Sequence, residues 1–443
     1  MATPISSIFN IIRLIVLAII AIFLYPFLRN KSIFFFLYSA GPSFIKLGQT
    51  LATRPDLIGN NLSKTLAKFQ DKLPPFSKNK VKKALEKEFS LTFNQIFLDF
   101  EFNPIASASI AQVHRAMLRN KELVAVKILR PNISKVINRD IETIKILAKI
   151  IKIFDKFLAK FLVEISNLLI ETSISELDLL KEAANGSKLK EDLKNISGFY
   201  VPKIFWKFSS KNILVIEWID GIALSDQEKL NTIDFDRPQV AKNLVISYFN
   251  QVYINGFFHG DMHPGNLFLM KNSDIAVVDF GIMGIIDKKT RLAIAQILLG
   301  FVNRDYENVA RLHIEAGLVK ENVNLDSLAI SCRKIGETIV DVSVEELSLS
   351  KLISALIDLT REYQMDTKPN LLLLQKTLML VEGVGVMLDP KLNMWNIARP
   401  WVKDWAVKHL SFDARICEAA SDILLSFKKI LKKFISKDIY IKS

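Results

Sequence analysis

Four polar side chains in this sequence have the types and spacing to hold a metal-bound phosphate. Asp261 and Asn266 stand five residues apart in His259-Gly260-Asp261-Met262-His263-Pro264-Gly265-Asn266, where Gly and Pro break any helix and leave a loop. A carboxylate placed there can orient a nucleophile or accept its proton, and the amide can help hold a magnesium ion. After a short apolar stretch, Asp279 precedes Phe280-Gly281, a carboxylate suited to a magnesium ion that bridges phosphates. Upstream, Lys127 ends Val124-Ala125-Val126-Lys127, where an ammonium on a strand would meet the α and β phosphates.

Each motif is weak by itself. A Val-rich strand ending in Lys is common, and Asp-Phe-Gly arises by chance. Their order along one chain, Lys then Asp-x4-Asn then Asp-Phe-Gly, is that of protein-kinase machinery, which assigns Asp261 the catalytic role and Asn266 and Asp279 the metal. A zinc site at His259 and His263 would want Glu in place of Gly260 and an unbroken helix, so hydrogen bonds that shape the loop are the better reading of both histidines. Where a kinase carries a glycine-rich loop, this chain has Ile105, Ala106, Ser107, Ala108, Ser109, Ile110, Ala111, Gln112 and Val113. Alanine narrows the backbone range that glycine allows. The hydroxyls of Ser107 and Ser109 and the backbone N–H groups remain available for phosphate. Glu217-Trp218-Ile219, ahead of Asp220-Gly221, sits where a hinge would offer Glu217 and Ile219 backbone groups to adenine; an edge strand and turn is the plainer reading.

The elements that must position these residues read as α+β. Residues 43–89 are helical in pattern, interrupted by Pro55 and Pro74-Pro75, and residues 100–129 are short β-branched runs with turns. Ile133 to about Leu193 is long and helical, Val201 to Ile219 returns to strands, and the rest is mainly helical apart from a hairpin around Leu267–Val278. A β-rich part followed by a helix-rich part suggests two lobes around a cleft.

The 443 residues, half of them hydrophobic, suffice for two or three cores and exclude a disordered chain. The net charge of +13 fits an anionic lipid surface or polyphosphate; no aromatic-plus-basic module or zinc-finger spacing supports a nucleic-acid partner. Two distant cysteines, Cys332 and Cys417, make neither a disulfide framework nor a metal cage. Leu14–Leu28 is an unbroken apolar run of 15 residues, and extending it back to Ile8 brings in Asn10 and Arg13. Arg29 and Lys31 follow it and favour a cytoplasmic remainder. Contact with a membrane and packing as a buried helix are both open. Residues 423–435 form a basic amphipathic pattern that fits an anionic headgroup layer or an ordinary surface helix.

The chain resembles the UbiB family of atypical kinases, associated with ubiquinone biosynthesis. The resemblance rests on the Ala-Ser-Ala-Ser-Ile-Ala-Gln-Val loop, on Lys46-Leu47-Gly48-Gln49, and on Glu176-Leu177-Asp178 followed by Glu182-Ala183-Ala184-Asn185. Asn303-Arg304-Asp305-Tyr306, Leu374-Gln375-Lys376-Thr377 and Val381–Gly385 add to it, so that roughly residues 41–400 are covered. It implies an α+β, protein-kinase-like bilobal fold with an N-terminal helical extension and a mostly helical C-lobe. The implied division is an apolar segment (1–40), the extension (41–96), the N-lobe (97–220), the C-lobe (221–412) and the basic C-terminal helix (413–443). It implies ATP and Mg2+ in the cleft, and an extension whose Lys46 and Gln49, on one helix face, plug the site where a protein substrate would dock. Glu182 is then the partner of Lys127, while Glu176 and Asp178 meet Lys46 or a metal. On a regular helix those two point roughly 200° apart, so they share a site only if the helix begins or distorts there. Bacterial members often end in paired apolar helices; here the apolar N-terminus is expected to take the membrane role. The implied activity is a kinase or ATPase supporting ubiquinone biosynthesis on the cytoplasmic face of the inner membrane. Its implied partners are an anionic membrane surface and biosynthetic proteins or prenyl-lipid intermediates. A small-molecule phosphotransferase and a nucleotide-switched, non-catalytic scaffold or lipid chaperone are the alternatives.

Overall fold

Strand β4 (Leu123–Leu129) shows how the local pattern builds the first sheet. Val124, Val126 and Ile128 alternate to a buried face, which leaves Lys127 on the other. β3 (Ala111–Leu118) and β6 (Ile213–Glu217) flank β4 antiparallel, with Lys127 opposite Val113 and Leu214. β1 (Phe97–Phe100) and the short β2 (Ala106–Ser107) pair with β3. The buried face forms one core with Val81 and Leu85 of helix Lys78–Phe89 and with Phe93, Phe97 and Phe100. Each such side chain contributes about 1.5–3 kcal/mol of burial.

In this computed structural model residues 4–52, 58–66, 74–319, 322–340, 352–355, 358–359 and 369–410 are described. The expected basic helix at 413–443 lies outside them. The chain forms two compact units. One comprises Met1–Glu191, Val201–Asp220 and Val278–Ile282; the other comprises Asp192–Tyr200, Gly221–Val277 and Met283–Ser443. Asp279 therefore belongs with the β1–β4 sheet, and Asp261 and Asn266 belong to the second unit.

The helical stretch after β4 is three helices, Ile133–Ile151, Lys156–Glu176 and Leu179–Asp192. Aspartates restart the second and third. The Asp155 carboxylate accepts the N–H groups of Phe157 and Leu158, and Asp178 accepts those of Leu180 and Lys181. An acidic side chain that satisfies otherwise unpaired first-turn donors favours a helix start at that point. In Val201–Ile219 only Ile213–Glu217 is a strand. Trp206–Phe208 is a 3-10 turn, and Pro202 withdraws a ladder donor.

The N-terminal helix Pro4–Leu28 docks by its first turns. Asn10 is buried and donates to Asp140 Oδ1 (3.0 Å) and Thr143 Oγ1 (2.9 Å), and Arg13 donates to the carbonyl of Ala40 at 2.8 Å. Those two polar residues are explained by docking. Further along, Ile19, Ile22, Phe23 and Phe27 are exposed, and Phe9–Leu28 is long and apolar enough to cross a membrane. Helices Asn30–Ala40, Pro42–Ala52 and Asn60–Leu66 follow.

In the second unit β5 (Phe199–Tyr200), β10 (Ile275–Val277), β9 (Leu267–Met270) and β7 (Gly221–Ala223) make one sheet in that order; β9 and β10 form the expected hairpin. β8 (Phe257–His259) pairs with β11 (Met283–Ile285). Helices Arg237–Phe249, Lys288–Val302, Tyr306–Glu315, Leu325–Val340, Pro369–Leu388 and Met394–Leu410 supply the rest of its described bulk. Pro369–Leu388 also has the length and apolarity of a membrane span, yet it packs on Arg237–Phe249, and Tyr248 donates to the Leu374 carbonyl.

Candidate phosphate- and metal-binding site

The first unit gathers a group of opposite charges around Lys127. Its Nζ lies 2.8 and 2.9 Å from the two oxygens of Glu182 and 3.3 Å from Asp279 Oδ1. Burial by itself would lower the ammonium's pKa, but the charges of Asp279 and Glu182 outweigh it and hold it above the usual lysine value. Burial pushes the Glu182 carboxyl up to about 7, with Lys127 opposing the rise and Asp279 adding to it. Asp279 has φ of +66°, the left-handed region that aspartate tolerates better than most residues. Its carboxylate accepts the Gly281 N–H.

One turn of helix Leu179–Asp192 grips the backbone beside Asp279. Glu182 accepts the Phe280 N–H, and Asn185 donates to the Phe280 carbonyl at 2.9 Å. Gly186 faces the buried Phe280 ring, where a Cβ would sit 2.7 and 2.9 Å from two ring carbons. Residues i, i+3 and i+4 lie on one helix face, so a single turn can supply all three contacts.

Lys46, from helix Pro42–Ala52, forms an ion pair with Glu176 at the end of helix Lys156–Glu176. Burial raises the Glu176 carboxyl against the opposing charge of Lys46; Asp279 and Lys127 are close enough to act on it too. Asp178 does not join this pair. The helix ends at Glu176, and Asp178 caps the next one, so the two acids serve different groups. Gln49 is half-buried one turn beyond Lys46 and has no hydrogen-bond partner among the described residues.

The Ala-rich loop is a tight hairpin in which Ala108 N–H donates to the Ala111 carbonyl at 2.8 Å. No residue from Ile105 to Val113 has a positive φ, so this turn does not need glycine. Arg130 straps it: the guanidinium donates to the Ala108 carbonyl and to Ser107 Oγ, and the Arg130 N–H donates to the Ile110 carbonyl. Ile105 and Ala106 are exposed and Ser107 is half-buried, whereas Ser109, Ile110 and Ala111 are buried. Gln112 is also buried; it accepts the Phe76 N–H and bonds the ring of His114. At the end of β6, the N–H groups of Glu217 and Trp218 go to the carbonyls of Lys203 and Leu123. Ile219 is buried, and its N–H has no partner among the described residues.

In the second unit the 3-10 turn Pro264–Asn266 brings Asn266 back to Asp261. The Asn266 amide donates to the Asp261 carbonyl at 3.0 Å and approaches its carboxylate at 3.4 Å. His259 Nδ1 accepts the Asp261 N–H and His263 Nδ1 accepts the Gly265 N–H. Buried Gln251 accepts the His259 N–H. Helix Pro369–Leu388 adds two contacts: Thr377 Oγ1 donates to the Gly260 carbonyl, and Lys376 Nζ stands 3.4 Å from Asp261 Oδ1. No cluster of three or more metal-ligating His, Cys, Asp or Glu occurs among the described residues.

Comparison with known proteins identifies the family. Residues 68–313 match the ABC1 atypical kinase-like domain, and residues 332–393 match the UbiB helical domain. The probable protein kinase UbiB of Pseudomonas paraeruginosa is 37% identical over 380 residues, covering 85% of this chain and 71% of that protein. The chain belongs to the ABC1/UbiB family of atypical kinase-like proteins. The UbiB of Cellvibrio japonicus is 37% identical over 372 residues, covering 82% of this chain and 67% of its own. Among solved structures, the Rv3197–erythromycin complex from Mycobacterium tuberculosis shares the fold at a TM-score of 0.52 and 22% identity, covering 79% of this chain and 90% of that one. The α+β kinase-like fold is thus as expected.

Within the UbiB framework, several contacts escaped the sequence reading. Asn185 stood in a quoted motif without a role, and Gly186 and Arg130 carried no signal. Lys376 lay in Leu374-Gln375-Lys376-Thr377, a stretch noted only for resemblance. That a residue more than a hundred positions away meets Asp261 is decided by helix packing, which no local pattern reports.

Proposed function

We propose that this chain is an atypical kinase or ATPase of the UbiB type that binds ATP with Mg2+ and supports ubiquinone biosynthesis at a membrane. The carrying observation is Lys127 shared between Glu182 and Asp279, with Asp279 gripped in a left-handed conformation by the turn Glu182–Gly186. Lys127 would meet the phosphates, and Asp279 with Asn266 would hold the ion. Asp261 would orient the acceptor hydroxyl or water. The exposed part of the Ala-rich loop would lie over the phosphates, and the Ile219 N–H would meet adenine. Bound magnesium supplies neutralisation of the charge that develops on the transferred phosphoryl group.

The Lys46–Glu176 ion pair, close to the Lys127–Asp279 group, supports an extension that occludes a protein substrate, and with it transfer to water or a small acceptor. The exposed apolar half of helix Pro4–Leu28 and the basic charge support work on an anionic membrane, on the cytoplasmic face of the inner membrane. Partners there would be ubiquinone-biosynthesis proteins or prenyl-lipid intermediates. The test is ATP turnover on anionic liposomes by the full chain and by Asp279→Asn. Loss of turnover in the variant is expected; unchanged turnover would remove the enzyme reading.

A further inference from the structure

Helices Ile133–Ile151 and Lys156–Glu176 pack side by side and are joined by a four-residue turn, Lys152–Asp155. At that turn the chain displays the most exposed large apolar side chains among the described residues. Ile153 is 79% exposed, Phe154 85% and Phe157 84%, with Ile150 and Leu158 beside them. The turn is not loose. The Asp155 carboxylate accepts the Phe157 and Leu158 N–H groups at 2.8 and 3.0 Å and is thereby committed to the helix start. The aromatic rings are held outward by a capped turn, and a contiguous apolar patch maintained in this way marks a contact surface.

The rim of the patch says what covers it. Lys149, Lys152 and Lys156 are exposed and have no ion-pair partner among the described residues; Lys160 reaches only Glu164, at 3.9 Å. Asp155 is the single acid from 149 to 160. Aromatic tips ringed by unpaired lysines are complementary to an anionic headgroup layer over an acyl boundary, where lysine stems lie along the apolar zone and their ammonium groups meet phosphate. We propose that the Ile150–Leu158 turn is a second membrane contact, separate from helix Pro4–Leu28, in which Ile153, Phe154 and Phe157 enter an anionic bilayer and Lys149, Lys152 and Lys156 bind its headgroups. The proposal rests on the membrane-surface reading made above and adds a site to it.

The test uses the full chain carrying Cys332→Ser, Cys417→Ser and Phe154→Cys with a nitroxide label. It is mixed with phosphatidylcholine vesicles containing 30% phosphatidylglycerol (about a third anionic, enough for the surface attraction expected of juxtamembrane lysines). Accessibility of the label to oxygen and to a water-soluble nickel complex is read together with vesicle sedimentation. The label is expected to become oxygen-accessible and nickel-protected on these vesicles. Ile153→Ser/Phe157→Ser, and separately Lys149→Glu/Lys152→Glu/Lys156→Glu, should each weaken partitioning by about tenfold or more. A chain that sediments with vesicles while the label stays open to nickel overturns the turn's role and leaves the membrane reading intact. A chain that fails to sediment overturns both. A label protected without vesicles, together with the mass of two copies, assigns the patch to self-association and also overturns the proposal.

Discussion

Substituting Gly186 by alanine tests the grip on Asp279 directly. The added Cβ would lie 2.7 and 2.9 Å from Phe280 ring carbons and 3.2 Å from Ile204 Cδ1. Carbon atoms prefer about 3.5–4.0 Å, so the overlap with the ring is roughly 0.6–1.3 Å. Phe280 is fully buried. Overpacking of this kind costs about 1–3 kcal/mol, while Gly→Ala inside a helix returns about 1 kcal/mol. The net loss is about 0–2 kcal/mol, a fall in Tm of up to roughly 8 °C for a unit of this size. The functional effect should exceed the stability effect, because Phe280 cannot move without disturbing its bonds to Glu182 and Asn185 and the neighbouring Asp279. A tenfold loss of nucleotide affinity would shrink the stabilisation by Mg-ATP, at a concentration 100 times the wild-type Kd, from about 2.7 to about 1.4 kcal/mol. Gly383 provides the control: it lies in helix Pro369–Leu388 with nothing within 4 Å of its would-be Cβ. Gly383→Ala should stabilise by about 0.5–1 kcal/mol and leave nucleotide binding unchanged. Thermal melts of both variants with and without Mg-ATP decide the matter. If Gly186→Ala melts at or above the wild type and keeps the full nucleotide shift, the grip does not hold Asp279.

Glu182, pushed up to about 7, ionises as pH rises through neutrality, and only the ionised form pairs fully with Lys127. Mg-nucleotide affinity should therefore fall below pH about 7, and Glu182→Gln should flatten that limb in a titration by fluorescence or calorimetry. On folding the sign is opposite: the raised pKa contributes stability that is complete below about pH 4.5 and is lost as pH climbs through about 7, so chemical-denaturation midpoints of wild type and Glu182→Gln, which mimics the neutral carboxyl, should converge on the acid side of that window and separate, wild type the lower, on its alkaline side. Lys376→Met, which leaves Asp261 without its cation, should lower kcat by about tenfold or more with the nucleotide KM changed less than about twofold, and an equal change in both would place Lys376 in nucleotide binding instead.

What could be read from residues alone was whatever local chemistry dictates. Val124–Lys127 had to be a strand with Lys127 opposite its valines, because alternation leaves no other arrangement once one face is buried. The loop from Gly260 to Asn266 followed from its Pro and Gly, and the order of Lys127, Asp261, Asn266 and Asp279 along the chain pointed to a kinase-like family. The angular argument on Glu176 and Asp178 stated correctly that a regular helix could not present both, but not where the break falls. The break is set by Asp178 capping a new helix, a competition between backbone donors that periodicity does not reveal. Other features needed the tertiary structure. Gly186 matters because Phe280 is packed against it, Arg130 because the Ala-rich hairpin folds over it, and Lys376 because a distant helix lies on the Asp261 loop. The apolar run at the N-terminus was legible as apolar, but only packing divides it into docked first turns and an exposed remainder. Sequence specifies which side chains can bond and how a segment prefers to coil; which distant partner each one meets is settled by how the helices and sheets bury their apolar faces together, a property of the whole unit that no short segment contains.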